Sequence, residues 1–125
     1  HGDTLCTDDT AYQSFRQQVR NPVWQAALLA KPYADRVALA RSIRTQSETE
    51  KSLKAEAIMD VNSNAVESAF RAHGCRTLVH GHTHRPARHD LLIDSTKAQR
   101  WVLPDWHDRI GVLTVGASWT LDSRP

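Results

Sequence analysis

Four histidines whose spacing could do chemistry stand in this chain: His82 and His84 in the run Leu78-Val79-His80-Gly81-His82-Thr83-His84-Arg85-Pro86, His80 two residues earlier, and His1 at the opening His1-Gly2-Asp3. Neutral imidazole is a common ligand for divalent transition metals. Two imidazoles two positions apart on an extended segment lie on the same side, so His82 and His84 can face one metal site or two adjacent ones. Gly81 is expected to let the chain turn tightly as it leaves a strand, and Pro86 to end the turn by fixing φ. His80, ahead of the glycine, is expected at the strand end as a packing or supporting residue rather than a ligand.

The string Gly-His-Thr-His-Arg-Pro after an apolar run resembles the last metal-binding motif of the calcineurin-like metallophosphoesterases. Three longer strings narrow the likeness: HGDTLCTDD from His1, IMDVN from Ile58 and HGHTHRPARH from His80. Together they are similar to the branch of that family that hydrolyses the pyrophosphate of UDP-2,3-diacylglucosamine in lipid A synthesis, and the resemblance runs from residue 1 to about Trp106. It implies an α/β chain, an α+β layered sandwich of the metallophosphoesterase type, with two divalent ions, manganese by family habit, held in part by His1, His82 and His84. It implies substrate contacts at Asp9, Ser47, Lys51, Lys54 and His82, and no catalytic residue beyond the metal site. The products would be UMP and 2,3-diacylglucosamine 1-phosphate. The setting implied is the cytoplasmic side of a Gram-negative inner membrane, with the protein peripheral on it.

One departure shapes the expectation. The family's Asp-x-His, Gly-Asp and Gly-Asn-His-Asp motifs do not occur as such, so residues 1–125 are expected to be the C-terminal part of one domain whose N-terminal half brings the remaining ligands. His1 rather than Met at the first position agrees with that expectation.

Bulk properties bound the partners. Hydrophobic residues make up 40% and charged residues 24%, a soluble globular balance rather than a disordered one. A net charge of +2 is too small to argue for nucleic acid, and none is expected as a partner. Cys6 and Cys75 have neither the spacing of a zinc site nor that of a disulfide framework, which suits a reducing, cytoplasmic setting.

The elements that must position these groups follow from periodicity. Tyr12, Phe15 and Val19 recur at helical spacing, with Thr7 or Asp8 as the expected cap. Asn21-Pro22 opens a second helix with Val23, Trp24, Ala27 and Leu28 on one face, and Lys31-Pro32 a third with Tyr33, Val37, Ala40 and Ile43. These helices are expected to form an inserted cap over roughly residues 10–57. Their apolar faces either close as core or leave a channel for acyl chains around Phe15, Trp24, Leu28 and Ile43. From Lys31 to Lys54 six Lys/Arg stand against three Asp/Glu, a mild cationic bias that suits an anionic bilayer surface.

Ser47, Lys51 and Lys54 fall at i, i+4 and i+7, so a helix would offer a hydroxyl and two ammonium groups to a phosphate. The competing reading of the same stretch is a solvated face with a Glu50–Lys54 pair. Further on, Asn64-x-x-Glu67 fits a capping box and His73-Gly74 a helix end. Strands are expected over Cys75–His80, Arg88–Ile93, Arg100–Leu103 and Gly111–Val115, with Trp101, Trp106 and Trp119 as packing residues and Asp122–Pro125 frayed.

Two other functions fit the same histidines. One is a metallophosphatase for a soluble nucleotide or phosphoprotein, which would not need the helical insertion. The other is a non-catalytic binding scaffold that keeps the fold. Open rather than closed apolar faces on the helices favour the lipid substrate.

Overall fold

A computed structural model describes residues 1–55, 58–107 and 110–124, with the backbone alone for Lys51, Ser52, Ser123 and Arg124. The chain is mixed α/β and divides into two compact units, one of His1–Thr7 with Asp60–Pro125, the other of Asp8–Met59. The expected cap ends at residues 56 and 57, which lie outside the described residues.

The first unit is a three-stranded sheet with a helix on one face, beside a two-stranded ribbon. A 3-10 turn, Asp3–Leu5, opens it. Helix α4, Ser63–His73, ends on Gly74 with φ 56, the left-handed position glycine takes without a Cβ penalty. Strands β1 (Thr77–His80), β2 (Ala87–Ile93) and β3 (Thr96–Val102) follow. β3 is central, parallel to β1 and antiparallel to β2. A two-residue loop joins β2 to β3 through Asp94 (φ 49) and Ser95 (φ 64), both left-handed as a tight hairpin demands.

Alternation along β3 aims Ala98 at α4, where Val66 and Phe70 meet Leu5 and Ile93. Phe70 is 1% exposed and anchors this core. β4 (Ile110–Thr114) pairs antiparallel with β5 (Thr120–Arg124). β5 corrects the expectation of a frayed end at Asp122, since its backbone is held in register, Leu113 opposite Leu121.

The second unit is helical: α1 (Thr10–Val19), α2 (Pro22–Leu29) and α3 (Tyr33–Leu53). Asn21 caps α2 as expected, its side chain accepting from the Val23 and Trp24 amides. α3 runs on through Ser47 as far as Leu53. No residue of α1 or α2 is buried, and Val23 is 78% exposed, so these faces do not interlock as closed core.

Two caps fall elsewhere than the pattern indicates. Asp9, not Thr7 or Asp8, caps α1 by accepting from Tyr12 N at 3.0 Å. Asn62, not Asn64, caps α4 by accepting from Ala65 N at 3.1 Å, and its own amide donates to Leu5 O at 2.8 Å. Trp101 is buried and its ring lies 6.0 Å from that of Trp119, but Trp106 is 68% exposed and is no core residue.

Candidate metal and phosphate site

β1 delivers His80 to the floor of the histidine loop. The ring is 4% exposed, and both of its nitrogens are engaged. Arg100 Nη1 donates to Nε2 at 3.0 Å, which leaves Nδ1–H to donate to Gly81 O at 2.9 Å. Burial pushes the His80 pKa down and the Arg100 guanidinium adds to it, against the hydrogen bond to Gly81. Neutral, and fully committed to Gly81 and Arg100, His80 supports the loop. It does not orient a neighbouring imidazole.

His1 arrives from the other end of the chain. Gly81 N donates to His1 O at 2.8 Å, and the His1 and His82 rings stand 5.4 Å apart, edge to face. Gly2 makes the approach possible. A Cβ there would lie 2.8 Å from His80 Nδ1, and its φ of 118 disfavours any other residue.

The loop itself is not extended, contrary to expectation. Its left-handed residues are His82 (φ 70) and His84 (φ 53) rather than Gly81. A side chain in that region costs roughly 1–2 kcal/mol per residue. Thr83 N donating to Gly81 O at 2.9 Å helps hold the turn. The consequence is that the two histidines part: His82 faces His1, and His84 turns to Asp105, with Nδ1 3.2 Å from Oδ2. The same Oδ2 lies 3.3 Å from His107 Nε2.

Arg85 ties the loop to the IMDVN segment, donating from Nη1 to Asp60 Oδ2 at 2.7 Å. Val61 N donates to the other oxygen of Asp60 at 2.7 Å. Burial would raise the Asp60 pKa, but the Val61 amide and the Arg85 and Arg100 guanidinium groups outweigh it and hold the carboxyl below its usual value.

In the helical unit, Lys54 Nζ lies 2.8 Å from both oxygens of Asp9. That pair displaces the expected Glu50–Lys54 bridge, since Glu50 accepts from Gln46 Nε2 at 2.9 Å instead. Lys54 also sits just past the end of α3, so the i+7 spacing from Ser47 is not helical to its end. Ser47 is exposed on α3, and the Lys51 side chain lies outside the described residues.

As donors, these groups fit a divalent metal in kind. His1 and His82 are neighbouring imidazoles, and His84 stands with its Nδ1 beside the Asp105 carboxylate. They are short in number, since among the described residues no three His, Cys, Asp or Glu side chains form a metal-holding cluster. Spacing singled out the histidines and Lys54, and the resemblance alone pointed to Asp9. Both missed Asp60, Arg85 and Arg100, and both missed Asp105, whose only local signal is a carboxylate two residues from another histidine.

No protein-family model matches the chain. Curated proteins named UDP-2,3-diacylglucosamine hydrolase are similar to it. That of Aromatoleum aromaticum (strain DSM 19018 / LMG 30748 / EbN1) is 57% identical over 108 residues, 86% of this chain and 44% of its own length. That of Bordetella pertussis (strain Tohama I / ATCC BAA-589 / NCTC 13251) is 57% identical over 106 residues, 85% and 41% respectively. That of Cellvibrio japonicus (strain Ueda107) is 51% identical over 123 residues, 98% and 48%. The chain thus spans a little under half the length of these relatives.

Proposed function

We propose, from the premise that this chain is a relative of the UDP-2,3-diacylglucosamine hydrolases, that it serves hydrolysis of the pyrophosphate bond of UDP-2,3-diacylglucosamine. The products would be UMP and 2,3-diacylglucosamine 1-phosphate, for lipid A synthesis. The observation that carries the reading is the meeting of His1 and His82, far apart in sequence, with rings 5.4 Å apart in a loop strained to present them. Such strain at non-glycine residues gathers at functional sites.

In this reading the first unit belongs to a layered metallophosphoesterase sandwich, and His1, His82 and His84 hold two divalent ions, manganese by resemblance. Such ions neutralise the pyrophosphate oxygens and supply an activated water. Further donors come from sequence the longer relatives carry beyond the matched region. His80, held by Arg100, and Asp60, held by Arg85, keep the loop in place. Lys54 meets a substrate phosphate beside Asp9, with Ser47 and Lys51 further along α3.

The open helical faces favour a lipid substrate over a soluble one. Val23 and Tyr33 stand out from the unit, where acyl chains or a membrane surface would cover them. Among the described residues no helix is long and apolar enough to cross a membrane. We place the protein peripherally on the cytoplasmic face of a Gram-negative inner membrane, where the cationic bias of residues 31–54 meets anionic lipid.

The test is hydrolysis of UDP-2,3-diacylglucosamine by the full-length protein with excess Mn²⁺, beside a His82→Ala variant. Release of UMP by the first and its loss in the second is expected. Release of UMP by neither overturns the reading.

A further inference from the structure

We propose that Asp105 is a positioning residue for His84: its carboxylate accepts a hydrogen bond from Nδ1–H and thereby favours the tautomer whose Nε2 would be the ligand atom for a metal ion. This rests on the reading of His84 as a metal ligand.

His84 Nδ1 lies 3.2 Å from Asp105 Oδ2, and an ionised carboxylate only accepts, so a hydrogen on the ring nitrogen facing it is the arrangement this contact favours. A neutral imidazole has one such nitrogen, and the other is then the ligand atom. Metal-bound histidines commonly have their second nitrogen oriented in this way, which also raises their basicity.

The carboxylate is placed there by its neighbours. Leu103 N donates to His80 O at 2.7 Å, tying the end of β3 to the end of β1. Pro104 occupies the space a Cβ at Gly111 would need, since that atom would come within 1.7 Å of Pro104 Cγ. Trp106 Nε1 donates to Gly111 O at 2.9 Å. Asp105 thus sits between two residues that both close on Gly111 of β4. This also gives the exposed Trp106 a purpose: its indole anchors the strap rather than filling a core.

His107 is the second claimant on the carboxylate, with Nε2 3.3 Å from Oδ2 and its ring 6.4 Å from that of His84. Among the described residues His107 is the other imidazole at this carboxylate, so His107→Ala should preserve the His84 tautomer. Nothing in the sequence resemblance assigns Asp105 or His107 a role.

The test uses the full-length protein. Ring ¹⁵N spectra of the metal-free form should show His84 as the Nδ1–H tautomer, with that preference lost in Asp105→Asn. Calorimetric titration with Mn²⁺ should show affinity about 10–100-fold weaker in Asp105→Asn, with an unchanged thermal midpoint and partial recovery in Asp105→Glu. His84 found as Nε2–H in the unaltered protein would overturn the proposal, and so would undiminished Mn²⁺ affinity in Asp105→Asn. The unaltered protein's spectrum decides the matter even if the variants fail to fold. His84→Ala separates the two claims. If it keeps its full metal complement, the ligand reading fails and the positioning role with it. If it loses metal while Asp105→Asn does not, the positioning role alone is wrong.

Discussion

Lys54 donates to both carboxylate oxygens of Asp9 at 2.8 Å, across 45 positions of sequence, while Asp9 Oδ1 also accepts from the Tyr12 amide. One carboxylate therefore caps the first helix of its unit and holds the residue just beyond the last. Asp9→Ala removes both contacts, and the cap alone is worth about 0.5–2 kcal/mol. Asp9→Asn keeps an oxygen for the cap but loses the charge and one of the two acceptors for Lys54. The expected order of urea midpoints in the full-length protein is unaltered, then Asp9→Asn, then Asp9→Ala. Equal midpoints for the two variants would show that the cap adds nothing.

Lys54 is expected to act on substrate and not on metal. Lys54→Ala should raise KM or lower kcat for UDP-2,3-diacylglucosamine while bound manganese per chain, read by elemental analysis, stays constant. Metal lost in step with activity would remove that assignment.

How legible was this in the sequence? The ligand-type histidines stood out because residue type and close spacing are local properties. The turn that presents them did not, because a glycine beside two histidines draws the eye to Gly81. In the fold the positive φ falls on His82 and His84, where hydrogen bonds from Gly81 N to His1 O and from Thr83 N to Gly81 O shape the loop. The caps erred for a kindred reason. Asn62 and Asn64 are both of a residue type that caps helices, but only Asn64 has a glutamate three residues on, and a bond to distant Leu5 accompanies the cap the fold uses. β5 was missed because a short polar strand in a two-stranded ribbon is specified by its partner rather than by its own alternation.

The pH dependence of the first unit should show one surface contribution. Arg71 donates to both oxygens of Asp94 at 2.9–3.2 Å, and this bond holds the Asp94 carboxyl below its usual value. A carboxyl depressed on folding stabilises above its unfolded pKa of about 3.9, and that contribution fades as pH falls through the lower folded value. Asp94→Asn keeps a residue suited to positive φ while removing the charge. Its stability deficit is expected at neutral pH and should narrow on acidification. A deficit that persists unchanged to the acid limit would mean the ion pair is not its source.

Phe70 fills the centre of the α4–sheet core, against Leu5, Val66, Ile93 and Ala98. Phe70→Ala should cost about 3–5 kcal/mol by urea unfolding, with Phe70→Leu losing less. Near-neutral behaviour of the alanine variant would place the core elsewhere.

The bond from Asn62 N to Leu5 O has a consequence for how such chains can change over time. The helical excursion of residues 8–59 leaves the first unit and returns to it at points already joined by a backbone hydrogen bond, so the unit sees a closed doorway of constant width. Loop-closure entropy grows only slowly with the length of chain beyond such a doorway. Helices could be added, removed or exchanged there, retuning what the protein grips, while His1 keeps its distance from His82. A foreign helical hairpin grafted between Asp8 and Met59 should thus leave the histidine loop of the first unit unchanged.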